Sequence, residues 1–237
     1  MTTTEPVLGV LGGMGPAATA DFMARLARLT PADRDQDHIP TIVYSDPTTP
    51  DRSDAILGNG PSPLPALTRG VDFLNQAGCA LIAIPCNSAH YWYDDLAERS
   101  TAPVAHIVDA TAVRLRAEAG VRTAGVLATD GTTRSGIYSR RLDSFGITAV
   151  DLTDLGDDNP VMRGIRELKA GAEATARDLL HQAGRELVRR GAQALVLGCT
   201  DVSAALAGIT AIDGAPVLDA SDCLARACLG KLGSNPT

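Results

Sequence analysis

Two stretches of this chain carry an apolar run straight into a cysteine: "LIAIPCNSAH" at 81–90 and "ALVLGCTDVS" at 194–203, which set Cys86 and Cys199 113 residues apart. A second pair repeats at nearly the same separation, "GVLGG" at 9–13 and "GVLAT" at 125–129, 116 residues apart. Short valine- and leucine-rich runs of this kind read as strands buried on both faces, the pattern of a parallel sheet. Two features repeating at nearly the same spacing point to an internal duplication of an α/β unit. In both halves the cysteine stands at the C-terminal end of its strand, where strand-to-helix loops and helix N-termini converge and ligands bind.

The rest of the chain fits that plan. "PTIVYSD" at 40–46 reads as the next strand after a helix beginning near Ala18, and "DPTTPDRSDAILGNGPSPLPAL" as a long, Pro-rich connection. Connections of that length in compact domains are often functional. "LTRGVDFLNQAG" reads as a helix, "CALIAIP" as a strand, and "APVAHIVDATAVRLRAEAG" as strand then helix, before "VRTAGVLATDGT" restarts the pattern. The expected architecture is α/β, with two pseudo-symmetric domains of mainly parallel sheet over 1–118 and 119–237 and an active-site cleft between them. The final helix is open to packing back on the N-terminal domain. The tail "GKLGSNPT" has the composition of a frayed end.

Composition narrows the function. The chain has 237 residues, 45% of them hydrophobic, enough for a large core. A formal charge of −7 and only 3% aromatic residues disfavour a nucleic-acid partner, which calls for basic surface and stacking rings. No apolar stretch reaches the roughly 20 residues of a membrane span, and "MTTTEPVLGVLGG" lacks a basic start and a cleavage region, so a cytoplasmic location is expected. Five cysteines, an odd number without a CxxC pair, suit a reducing compartment better than a disulfide framework.

A strand-end cysteine can fill a core, hold a metal or take protons. Cys86 and His90 are four apart and can share a helix face, but His38, His106 and His181 give no ligand spacing, so no metal site is expected. His90 either adjusts Cys86 or packs as a neutral imidazole, and Asp201 either orients the second thiol or caps a helix. "GGMGPAA" offers Gly13-x-Gly15-x-x-Ala18, but Asp46 lies too far beyond it for a dinucleotide fingerprint. Gly13 and Met14 are expected instead where backbone passes close to ligand or to the opposing domain. Cys79, Cys223 and Cys228 read as packing residues. Trp92 either covers the site or packs between domains.

Two thiols facing one carbon permit a specific reaction. One thiolate removes a proton from one side while the other thiol returns a proton to the opposite side, inverting the centre without redox chemistry. Asn87, Ser88 and Thr200, next to the cysteines, offer donors for an α-carboxylate. Arg52, in the long loop, offers a planar fork for a second carboxylate, or is a plain surface arginine. A pyridoxal mechanism needs a lysine, and Lys169, the only internal one besides Lys231 near the end, has no recognisable context for it.

"GVLGGMGPAAT", "PDRSDAIL", "PCNSAH", "ATDGTTRSGIY" and "LGCTD" together resemble the cofactor-independent aspartate/glutamate racemases, in particular the aspartate racemase branch, over nearly the whole chain. The resemblance implies that Cys86 and Cys199 are the two acid/base residues. It implies substrate contacts from Arg52, Asn87, Ser88, Thr200, Lys169 and a threonine of "ATDGT", Thr129 or Thr132, with Gly13, Met14, His90 and Asp201 behind them. Lys169, followed by Gly171, also reads as ordinary helix C-terminal capping. The family usually forms homodimers and uses no metal or pyridoxal phosphate. It more often has threonine at Ser88 and glutamate at Asp201, and many members have histidine where Leu224 stands. The function expected is racemisation of an acidic amino acid, aspartate before glutamate. The alternatives are another isomerase or decarboxylase of the superfamily acting on a dicarboxylate, or a small-molecule-binding protein that has lost catalysis.

Overall fold

The computed structural model describes residues 5–118 and 120–234. Ala119, where the sequence sets the domain boundary, and the last three residues of the polar tail lie outside them. The chain divides into two compact units, Met1–Ala110 with Ser221–Thr237, and Thr111–Ala220.

The first unit runs β1 (Leu8–Gly12), α1 (Pro16–Leu29), β2 (Thr41–Ser45), α2 (Arg52–Ile56), α3 (Leu64–Gln76), β3 (Leu81–Ala83), a 3-10 turn over Ser88–Trp92, α4 (Tyr93–Arg99) and β4 (Val104–Ala105), and the chain leaves it inside α5 (Ile107–Ala117). The sheet order is β2-β1-β3-β4, parallel throughout. Every residue of β1 is buried, because a parallel sheet needs helical crossovers and they cover both faces. Leu11, Leu67, Val71, Leu74, Ile82, Ile84 and Leu96 form the core between sheet and helices. Phe22, Leu26 and Leu29 are buried along α1 at helical spacing.

The second unit repeats the plan with β5 (Thr123–Leu127), α6 (Asp130–Arg134), α7 (Ile137–Asp143), β6 (Thr148–Val150), α8 (Pro160–Lys169), α9 (Glu173–Arg189), β7 (Ala194–Leu197), α10 (Thr200–Ala205), β8 (Ala211–Ile212) and β9 (Ala215–Asp219), leading into α11 (Ala220–Lys231). Its sheet order is β6-β5-β7-β9-β8. The four parallel strands therefore follow the same order as the first sheet, with β8 added as an antiparallel edge. The β8–β9 hairpin turns on Asp213 (φ 47°) and Gly214 (φ 83°), two left-handed residues in succession, as a primed two-residue turn requires.

The repeated glycines have one physical cause. A Cβ on Gly9 of β1 would stand 3.2 Å from Leu74 of α3 and 2.9 Å from the Cys79 sulfur. A Cβ on Gly125 of β5 would stand 2.9 Å from Leu187 of α9 and 3.0 Å from Ala192. In each unit the helix preceding the third strand packs directly over the first strand, and only glycine leaves room. Among the described residues no helix is long and apolar enough to cross a membrane.

Candidate functional site

In the first unit the expected residues gather at the C-terminal edge of the sheet. The pairings Val10↔Ala83 and Gly12↔Ser45 bring the continuations of β1, β2 and β3 out side by side, carrying Gly13, Asp46 and Cys86. Gly13 has φ +89°, and a Cβ there would run into the backbone of Asp46. Its N–H donates to Thr19 Oγ1 at 2.8 Å, and that hydroxyl donates to the Gly15 carbonyl at 3.1 Å, which fixes the turn into α1. Met14 is buried in the same apolar cluster as Cys86 and Trp92.

Cys86 is 6% exposed, three residues beyond β3, and its Sγ lies 3.5 Å from Ser88 Oγ. Asn87 is buried and Ser88 half-buried. The chain after Cys86 winds as a 3-10 turn, and His90, 3% exposed, is built into it. Its Nδ1 sits 2.9 Å from the Cys86 carbonyl oxygen, and its Nε2 accepts the Ile107 N–H at 3.1 Å.

Arg52 opens α2, which Asp51 caps by accepting from the Asp54 N–H at 2.9 Å. Its Nη1 donates to the carbonyls of Thr49 at 3.3 Å and Pro50 at 3.0 Å, and Nη2 to that of Met14 at 3.3 Å. Its Nε is buried without a hydrogen-bond partner. Among the described residues no carboxylate forms an ion pair with it. A guanidinium held only by carbonyls, with its Nε–H and one Nη2 hydrogen left over, is electrostatically incomplete and favours a bound anion.

The second unit holds the remaining residues at the matching edge. Gly198 N–H donates to the Leu127 carbonyl at 2.9 Å, and the pair Leu127↔Leu197 sets Thr129 and Cys199 each two residues beyond the sheet. Cys199 is half-exposed and is the extended N-cap residue of α10 (φ −149°, ψ 138°), with Thr200 and Asp201 in its first turn. Thr129 caps α6 through the Thr132 N–H at 3.3 Å, and the two hydroxyls are 3.0 Å apart. Thr132 is 1% exposed, so Thr129 is the one that reaches the surface. Lys169, at the end of α8, places its ammonium 3.8 Å from the Asp201 carboxylate. Each reading of these two as a mere helix cap therefore omits their pairing.

Some contributors escaped the sequence reading. Ile107 and Ser203 both engage the cysteine-bearing loops: Ser203 Oγ donates to the Cys199 carbonyl at 3.3 Å, four residues back, as His90 does to that of Cys86. A further repeat carried the signal, "APVAHI" at 102–107 against "APVLDA" at 215–220, again 113 residues apart. It marks His106 and Asp219 as the matching ends of the fourth strands. Among the described residues no three His, Cys, Asp or Glu side chains group as metal ligands.

The Asp/Glu/Hydantoin racemase family model matches residues 11–228. An aspartate racemase of Picrophilus torridus is 30% identical and superposes with a TM-score of 0.84, covering 98% of this chain and 96% of its own. A broad specificity amino-acid racemase of Bacillus subtilis is 29% identical over 224 residues, 93% of this chain and 95% of its own length. The glutamate racemase of Francisella tularensis, solved with D-glutamate, shares the fold at a TM-score of 0.67 and 17% identity, covering 96% of this chain and 81% of its own.

Proposed function

The chain belongs to the Asp/Glu/hydantoin racemase family, and from that premise we propose that it interconverts L- and D-aspartate, with glutamate the next acid accepted, by proton transfer between Cys86 and Cys199. The Cys86 thiolate takes the α-proton from one face: the C–H bond breaks, the S–H bond forms and the electron pair stays on the α-carbon. The Cys199 thiol delivers its proton to the opposite face. The reverse direction exchanges the two roles, and no pyridoxal group or metal takes part.

One observation carries the acidic substrate: Arg52, fixed by three carbonyls, keeps an unpartnered buried Nε and no carboxylate of its own. It receives the side-chain carboxylate. Asn87, Ser88, Thr200 and Thr129, with Thr132 fixing Thr129, serve the α-carboxylate, where charge stabilisation matters most as the proton leaves. Lys169 exchanges its Asp201 partner for substrate. Gly13, Met14 and His90 hold the first-unit loops that carry Arg52 and Cys86. Both thiols must stay reduced, which fits a cytoplasmic enzyme. A homodimer, implied by the family resemblance, belongs to the same reading and is checked by light scattering.

The test incubates reduced, pyridoxal-free protein with L- and D-aspartate and glutamate in deuterated water, following optical activity and α-deuterium together. Inversion with deuterium uptake supports the reading and ranks the acids. Folded protein that exchanges none of the four sinks it.

A further inference from the structure

The two cysteine loops are built alike but held differently. After Cys199 the chain is α-helical, so the Cys199 carbonyl accepts the Ser203 N–H at 3.0 Å in the ordinary i to i+4 manner. After Cys86 the turn is 3-10, and the His90 N–H goes instead to the Asn87 carbonyl at 3.1 Å. The Cys86 carbonyl thereby loses its helical donor, and the imidazole of His90, from the same i+4 position, supplies one through Nδ1 at 2.9 Å.

The far side of the ring does a second job. Ile107 begins α5, where the first backbone N–H groups have no partner within the helix. Nε2 of His90 accepts the Ile107 N–H at 3.1 Å, and His106 Nδ1 accepts that of Val108 at 3.1 Å. Accepting at Nε2 requires a lone pair there, so the partners assign His90 as the neutral Nδ1–H tautomer. The His106 ring lies 4.9 Å from it and Tyr93 stacks at 6.2 Å, which fixes the plane. One imidazole thus ties the loop after β3, which carries Cys86, to the start of α5.

Resting on the racemase reading above, we propose that His90 is a positioning residue acting on the proton transfer at Cys86 alone, and that the Cys199 transfer does not depend on it. It exchanges no proton with substrate, because both ring nitrogens are engaged by backbone. It sets the peptide that aims the thiol, and misplacing a reacting group by about 1 Å costs up to about a hundredfold in rate.

Two substitutions separate its bonds. His90→Asn keeps a donor near the Nδ1 position and loses the Ile107 acceptor, whereas His90→Gln keeps an acceptor in reach of Ile107 and loses the Cys86 donor. The readout is the primary isotope effect on kcat/KM with α-deuterated L- and D-aspartate. Slowing only the Cys86 transfer raises the effect for the enantiomer that Cys86 deprotonates and lowers it for the mirror form. The Cys199→Ser variant identifies that enantiomer as the one whose α-position it still exchanges. His90→Gln should lower kcat/KM about ten- to a hundredfold with these opposed shifts, and His90→Asn should restore most of the rate. Equal losses in both variants with unshifted isotope effects would overturn the proposal.

Nitrogen NMR of the wild-type protein gives a check that needs no variant. It should show His90 protonated at Nδ1 and bare at Nε2 across the working pH range, and an imidazolium or the opposite tautomer would also overturn it. A wild-type protein inert toward aspartate would instead defeat the substrate reading, leaving the tautomer result to stand separately.

Discussion

Arg52 and Met14 are joined across 38 positions of sequence: the guanidinium Nη2 donates to the Met14 carbonyl at 3.3 Å. The bond ties the loop after β2 to the turn after β1, and it aims the fork while leaving Nε unused. Arg52→Lys keeps the charge and loses both the fork and the tether. A charge-assisted hydrogen bond contributes about 1.5–3 kcal/mol, so kcat/KM for aspartate should fall roughly ten- to a hundredfold, mainly through KM. Steady-state kinetics with both enantiomers measures it.

The five thiols should separate by access. Cys79, Cys223 and Cys228 are buried in packing positions, and Cys199 is half-exposed at its helix start. Iodoacetamide on native protein should label Cys199 first and leave Cys228 unlabelled until the protein unfolds, with aspartate slowing the Cys199 reaction. Peptide mass spectrometry over time reads the order. Cys86→Ser and Cys199→Ser should each lower kcat by about 10²–10⁴, the usual size of a general acid or base contribution.

Alkaline stability should report Cys228. Burial pushes its thiol from 9.0 up to about 12, since a thiolate is costly in an apolar core. The folded state therefore holds its proton while the unfolded chain releases it. The contribution to stability is fully present below the unfolded value and is lost as pH rises toward the folded one. Chemical denaturation should show stability declining from about pH 9 upward, less steeply in Cys228→Ala, which itself starts from a lower plateau.

Gly13→Ala meets two obstacles at once, a left-handed φ of +89° and the Asp46 backbone against the added Cβ. Strain of this kind costs about 1–3 kcal/mol before any steric shift is added. A fall in thermal midpoint should accompany a fall in activity, because the same turn supplies the Met14 carbonyl to Arg52. Gly15→Ala, with nothing within 4 Å of the new carbon, is the matched control.

Ser203→Ala should be nearly silent. The Cys199 carbonyl already accepts a backbone N–H at 3.0 Å, so the longer 3.3 Å side-chain bond is a supplement. Kinetics and thermal unfolding within about 1 kcal/mol of wild type would agree with the value of one such bond.

The repeated glycines and cysteines were legible because close packing leaves a mark at nearly fixed spacing: Gly9 and Gly125 are forced by Leu74 and Leu187, and Cys86 and Cys199 follow their strands by three and two residues. Composition could not reveal the short α2 inside the Pro-rich connection, since five residues carry no helical period. The expected strand "CALIAIP" shortens to Leu81–Ala83. Pro85 has no N–H to give a neighbouring strand. The β8–β9 hairpin carries a turn signal in "IDGAP", but the two-residue β8 is too brief to show alternation. Roles that depend on contacts between distant segments, such as His90 with Ile107 and Lys169 with Asp201, had no local signature at all.

The division of the chain also sets an order of assembly. Thr111–Ala220 is one unbroken segment, whereas the first unit needs Ser221 onward to be complete. Within that unit Asp222 of α11 stands 3.8 Å from Arg25 and 3.6 Å from Arg28 of α1, and Leu229 is buried. During synthesis the second unit has its whole sequence in hand as soon as Ala220 clears the ribosome. The first, though begun earlier, must wait with its α11 face uncovered until α11 itself has been added. During that interval the face that receives α11 lies open to aggregation and to chaperones.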